Sequence, residues 1–220
     1  MEKSANIGLK LLEAAAIYPN EPLLIFPSTR SNYREMAQRA TAHAERLYGL
    51  GIRRGDHVGI LMPNCPEYIE LLFGTALLGA VTVPINARNK ANELAYVIAN
   101  ADIKVLVTSD LASEYVDFAQ LLNETFPELL NANNPIQLDL EDAPLLDTIV
   151  CLGNTTENSM LTEKAFEDMG LKVQSNNDID VLQLLEDQDS DASCIMMYTS
   201  GTTANPKGCP ISHKALLQNG

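Results

Sequence analysis

Apolar residues fall along this chain in two rhythms that take turns. Short runs rich in Val, Ile and Leu, at residues 23–26, 57–62, 80–85 and 103–109, have the length and composition of strands. Between them the spacing changes. Met36, Ala40, Ala44 and Leu47 recur at near-helical intervals and predict a helix with one buried face. Asn32-Tyr33-Arg34-Glu35 supplies a capping box at its start, with the Asn32 side chain accepting from first-turn amides and Glu35 reaching back. Gly49 and Gly51 mark its end. Asn64-Cys65-Pro66-Glu67 repeats the capping pattern, with Pro66 in the permissive first turn of a helix that runs to about Leu78. Pro84 closes the third strand, and a third helix spans residues 91–100. Strand and helix in this order predict an α/β fold, a mostly parallel sheet flanked by helices.

Beyond Ser109 the rhythm is less regular. Residues 115–130 have helical character, 131–146 are rich in Asn, Pro and Asp and read as a loop, 148–152 read as a strand, and 178–186 as a short helix. A last apolar strand, 193–199, follows the acidic stretch 186–191, and no internal repeat or coiled coil is present.

Charge divides the chain. Residues 1–110 carry 11 basic and 11 acidic side chains, whereas 111–220 carry 4 and 18, so the second half supplies the whole net charge of −14. Such a surface is a poor partner for nucleic acid. No apolar stretch reaches the roughly 18 residues of a membrane span, because residues 71–85 are interrupted by Gly74, Gly79 and Pro84. Glu13 breaks the apolar N-terminal run and no small-residue cleavage site follows, so a signal peptide is not expected. Cys65, Cys151, Cys194 and Cys209 form no C-x-x-C pair, which argues against a zinc site and fits a reducing, cytoplasmic compartment.

The chemistry concentrates in residues 196–213, MMYTSGTTANPKGCPISH. Glycines and short hydroxylated side chains are costly to order, so a ligand is the natural compensation. Hydroxyls, uncovered amides and one lysine after a strand have the composition of a phosphate grip. Lys207 is the one formally charged residue between Asp191 and Lys214. At cellular salt the screening length is about 8 Å, so this local charge outweighs distant carboxylates. The order Lys207-Gly208 after Pro206 is not that of a Walker A loop, which needs Gly-Lys-Ser/Thr leading into a helix. From composition alone, a ligand-free glycine-rich turn stays open.

YTSGTTANPKG resembles the phosphate-loop signature of the adenylate-forming ligases, which include acyl-CoA synthetases, luciferases and the adenylation domains of peptide synthetases. Residues 21–110 are similar to the family's N-terminal region in the same order, as are 149–151 and 191–220. The resemblance implies a partial N-terminal AMP-binding domain over 1–220, with a variable acidic segment at 111–190 and the phosphate-loop segment at 191–220, and with the family's C-terminal domain absent. It implies that Thr199, Ser200, Gly201, Thr202 and Thr203 hold the β- and γ-phosphates of ATP, assisted by Lys207 and Gly208. Ala204 stands where glycine is usual, and at a positive φ would cost about 1 kcal/mol. The implied reaction uses ATP, Mg2+ and coenzyme A. A carboxylate attacks the α-phosphorus to give an acyl-adenylate, and the CoA thiol then displaces AMP. The carboxylate is already nucleophilic, so catalysis rests on positioning and charge neutralisation rather than a general base. Pro84-Ile85-Asn86 with Arg88 looks more like the acyl-CoA synthetases than the peptide-synthetase domains, which favours a carboxylic or fatty acid substrate.

Several other features read more simply. Gly49 to Gly55 nearly spells a dinucleotide fingerprint but follows a helix, and reads as helix termination. Ser212 caps a last helix, leaving His213 as a surface residue or a secondary ligand contact beside the loop. His43 and His57 read as structural, and Met196 and Met197 as core. The acidic run has neither the glycine nor the terminal glutamate of a calcium loop. The resemblance implies an N-terminal fragment that does not complete the reaction alone. The alternative is a non-catalytic nucleotide-binding or interaction protein, whose incomplete sheet would leave exposed edges.

Overall fold

The computed structural model describes residues 6–111, 114–185, 189–199 and 205–219. The chain opens with helix α1 (Ile7–Ile17), then an antiparallel hairpin of β1 (Pro22–Ile25) and β2 (Arg30–Asn32), which feeds helix α2 (Tyr33–Gly49). Strand–helix units follow: β3 (His57–Leu61), α3 (Pro66–Leu77), β4 (Val81–Pro84), α4 (Ala91–Asn100), β5 (Ile103–Ser109) and α5 (Phe118–Thr125). A 3-10 turn at Pro127–Asn131 leads through an irregular stretch to β6 (Thr148–Leu152) and β7 (Met160–Thr162). Helices α6 (Glu163–Asn176) and α7 (Val181–Leu185), strands β8 (Ser193–Thr199) and β9 (Lys207–Ser212), and helix α8 (His213–Asn219) complete it.

Among the described residues the main sheet has seven strands in the order β7-β6-β5-β3-β4-β8-β9. All neighbours pair in parallel except β8 and β9, which form an antiparallel hairpin at the edge. The expected mostly parallel α/β architecture is therefore present. Both faces of the sheet are covered, which is why its inner strands are continuously apolar. Val58, Ile60, Val105, Val107 and Val150 face one core, with Ala40 and Leu47 of α2, Leu71 of α3 and Phe166 of α6. Leu61, Val83, Leu106 and Ile149 face the other, with Leu94 and Ile98 of α4 and Phe118 and Leu122 of α5. Adjacent residues of β5 alternate between these layers, as the strand period requires.

Helix α2 is the spine of the first layer and packs on both α3 and α6. Its approach to α3 depends on Gly74, where a Cβ would come within 2.8 Å of the Ala40 carbonyl and of the His43 Cβ. Between the two helices, Glu70 is buried and accepts from Arg39 at 2.9 Å, while His43 Nε2 lies 3.6 Å from its second oxygen. Burial pushes the Glu70 carboxyl up, but the bonds to His43 and Arg39 together outweigh it and hold the group below its ordinary range. Burial also lowers His43. His43 thus has the structural role expected of it.

The capping box at Asn32 and Glu35 is formed as anticipated, and α2 ends at Gly49. At α3 the expectation fails in part. Pro66 occupies the first turn, but the N-cap is Cys65, with no side-chain cap bond, and Asn64 stands outside the helix. Strands β2, β7 and β9 and helices α1 and α6 were not anticipated by the sequence pattern. Residues 115–130 hold the shorter α5 and the 3-10 turn rather than one helix.

Candidate functional site at the carboxyl edge of the sheet

Parallel strands deliver their carboxyl ends to one edge, and open α/β sheets bind ligands there. Strand β8 rises between β4 and the hairpin partner β9, and Thr199, its last residue, stands opposite Lys207, the first of β9. Ser200, Gly201, Thr202, Thr203 and Ala204, which stand between them in the sequence, lie outside the described residues. Of the expected phosphate-binding positions, Thr199, Lys207 and Gly208 are described. They are brought together at the neck of the hairpin, and both Thr199 and Lys207 are exposed.

The hairpin is held by its second residue pair. Tyr198 faces Gly208 across the ladder, and a Cβ on Gly208 would lie 3.2 Å from the Tyr198 ring and hydroxyl. Gly208 is expected among the phosphate-binding positions; the structure adds a packing reason for glycine. The ring of Tyr198 reaches across to α4, where its hydroxyl donates to Asn100 Oδ1 at 2.7 Å. Burial is the main cause of its raised pKa, followed by the charges of Tyr96 and Asp102.

A crevice of about 610 Å³ opens between the hairpin neck and the end of β4, lined among others by Asn86, Arg88, Glu93, Met197, Thr199 and Asn205. Asn86 shapes its floor by accepting the Arg88 amide on its side chain at 3.0 Å and the Asn89 amide on its carbonyl at 3.0 Å. Asn86 and Arg88, separated from the loop by more than a hundred residues of sequence, therefore border the same cleft. Met196 packs on the core side, but Met197 is 43% exposed and lines the crevice, so the expectation of two core methionines holds for one of them. The reason is the strand period, which sends neighbours to opposite faces.

His213 is neither a surface residue nor a ligand contact. Ser212 does cap α8, accepting from the Ala215 amide at 3.2 Å. The imidazole, however, is 1% exposed and turned inward against the start of α1. Its Nδ1 accepts from the Ile7 amide at 3.2 Å, and its Nε2 lies 3.2 Å from the Asn6 side-chain nitrogen. Burial pushes its pKa down to about 4, so the ring is neutral at physiological pH.

Among the described residues no group of three or more His, Cys, Asp or Glu could hold a metal ion, and no helix is long and apolar enough to cross a membrane. Thr199 and Lys207 offer an exposed hydroxyl and an exposed ammonium at the neck, the donor types that a polyphosphate accepts from. A magnesium ion takes much of its coordination from water and phosphate oxygens, and here Thr199 is a described hydroxyl at that edge.

The AMP-binding enzyme family model matches residues 11–220. YngI of Bacillus subtilis, provisionally named an acyl-CoA synthetase, is 30% identical over 217 residues, which is 98% of this chain and 39% of YngI. Crotonobetaine/carnitine–CoA ligase of Citrobacter koseri is 31% identical over 206 residues, covering 91% of this chain and 35% of the ligase. Among solved structures, the anthranilate CoA ligase AuaEII in complex with anthranoyl-AMP superposes with a TM-score of 0.73 at 25% identity, over 95% of this chain and 35% of AuaEII. The chain thus spans little more than a third of the length of these relatives. With the match running from α1 through the β8–β9 hairpin, the chain belongs to the AMP-binding enzyme family of adenylate-forming ligases.

Proposed function

We propose that this chain is the N-terminal part of an AMP-binding domain, with the acidic segment at 111–190 and the phosphate-loop segment at 191–220. The protein it belongs to activates a carboxylic acid with ATP and passes the acyl group to coenzyme A. The observation that carries this reading is the hairpin neck, where Thr199 and Lys207 face each other at the carboxyl edge of a parallel sheet. The relatives named as CoA ligases support the acceptor.

In the first step a substrate carboxylate oxygen bonds to the α-phosphorus of ATP, and the bond to the leaving pyrophosphate breaks. Lys207 and the hydroxyl of Thr199 hold the β- and γ-phosphates together with Ser200, Gly201, Thr202 and Thr203, while Gly208 lets the neck close. They neutralise the charge that leaves with pyrophosphate. In the second step the CoA sulfur bonds to the acyl carbon and AMP departs. Magnesium supplies further neutralisation of the phosphates when bound. The acid is a fatty or other small carboxylic acid, for which the sequence Pro84-Ile85-Asn86 with Arg88 is the support. The chain by itself holds the phosphate grip without the full reaction.

The test is acid-dependent ATP–pyrophosphate exchange in the protein carrying the family's full length. Medium-chain fatty, aryl and betaine-type acids would be offered, followed by CoA thioester analysis. Exchange with at least one acid is expected. Absence of exchange with every acid would sink the ligase reading, and exchange without CoA thioester would remove the acceptor.

A further inference from the structure

Helix α1 has an unusual composition for its position. Its sequence IGLKLLEAAAI carries two charged residues, Lys10 and Glu13, which pair with each other at 2.7 Å. A helix apolar nearly all round belongs in a core. Yet only Ile7, Gly8 and Leu11 are buried, against α2, α3 and α8, and Leu9, Leu12 and Ala16 are left half-buried or exposed. Those three form one wall of a trough of about 930 Å³, and Ile179, Val181 and Leu182 form the other. Leu182 is 57% exposed, so the apolar floor faces solvent.

The rim has a single sign of charge. Glu13, Glu45, Asp178 and Asp180 border the trough, and no Lys, Arg or His is among the described residues that line it. Glu13 is answered by Lys10, but no described lysine or arginine forms an ion pair with Glu45, Asp178 or Asp180. An apolar floor between acidic banks is complementary to a helix whose apolar stripe is flanked by lysine or arginine.

We propose that this trough is a docking surface for a basic amphipathic helix of a partner protein. The same acidity disfavours the other occupants. An anionic membrane repels four carboxylates. A second copy of the chain brings another net −14. The described helix α8 is already engaged elsewhere, with His213 against the start of α1 and Lys214 paired with Asp191. The surface lies on the α1–α2 layer, shares no lining residue with the crevice at the hairpin neck, and does not depend on the ligase reading.

The probe is a fluorescein-labelled Leu/Lys peptide of about 14 residues with its leucines at helical spacing, titrated by anisotropy at about 0.15 M salt against the protein carrying the family's full length. Saturable binding is expected, weakened at least about tenfold by Glu45→Lys with Asp178→Lys and also by Leu182→Ser. Glu124→Lys with Glu128→Lys, exposed on the opposite layer, leaves binding unchanged, and circular dichroism checks that each variant folds. Equal weakening by the remote pair would reduce the effect to bulk charge and overturn the proposal. So would equal affinity for a peptide with scrambled leucines, the absence of binding, or capture by phosphatidylserine vesicles in place of the peptide.

Discussion

The Nδ1 of His213 accepts the backbone N–H of Ile7 at 3.2 Å, closing a contact across 206 residues of chain. Asn6, beside it, caps α1 through Oδ1, accepting from Gly8 at 2.7 Å and Leu9 at 3.1 Å, and donates to the Ala76 carbonyl of α3 at 3.2 Å. One buried imidazole and one amide therefore tie α1, α3 and α8 together.

Protonating His213 would put a donor against the Ile7 donor. Burial pushes its pKa to about 4, against about 6.5 when unfolded. Between these values the unfolded chain binds a proton that the folded chain refuses. The contribution is full above about pH 6.5 and is lost as pH falls towards 4, at about 1.4 kcal/mol per pH unit. His43 shifts in the same direction and adds to the loss. Urea unfolding at about pH 7.5 and about pH 5 should show a shallower pH dependence in His213→Gln than in the parent chain. Identical dependence would remove His213 from this role.

Gly74→Ala should destabilise the chain by about 1–3 kcal/mol, because the added methyl meets backbone of α2 rather than the end of a flexible side chain. The urea midpoint should fall with the m-value unchanged. A midpoint equal to that of the parent would mean that α2 and α3 separate at little cost.

Tyr198→Phe removes the bond to Asn100 and should cost about 0.5–1.5 kcal/mol. Asn100→Ala should cost a similar amount, and the double variant less than the sum, since both delete one interaction. Full additivity would show that the two residues act separately.

Lys207→Ala, made in the full-length protein, should lower the rate of pyrophosphate exchange about 10- to 100-fold, the equivalent of one charge-assisted hydrogen bond. Thermal stability should hardly change, because Lys207 is exposed. Unchanged exchange would remove the phosphate role from Lys207.

Strands whose residues pack on both sheet faces were legible from local sequence. Ile103–Ser109, Thr148–Leu152 and Ser193–Thr199 are continuous apolar runs and appear with the expected bounds. Strand β9 was not legible, because KGCPIS contains Gly208 and Pro210 and is mostly exposed; its conformation comes from pairing with β8. Helix α6 carried a readable spacing in Phe166, Gly170 and Val173, but glycine at a buried position looks like a helix breaker until Arg46 is seen against it. The inward turn of His213 had no local sign at all, since its partners lie at the other end of the sequence. For the candidate site, motif order supplied the loop residues, while Met197, Asn89 and Glu93 joined it only through the fold.

Strand β8 is registered to β4 through one residue pair, Thr82 with Ile195, whereas it pairs with β9 along nearly its whole length. The strand carrying the hairpin neck is therefore stitched more firmly to its edge partner than to the body of the sheet. Cooperative opening follows such seams. The amides of β8 and β9 should exchange together, ahead of β3, β5 and β6, as a leaf that swings while the binding remains closed. Nucleotide held at the neck would then slow exchange in the leaf alone, and the rhythm of that leaf would set how quickly polyphosphate enters and leaves.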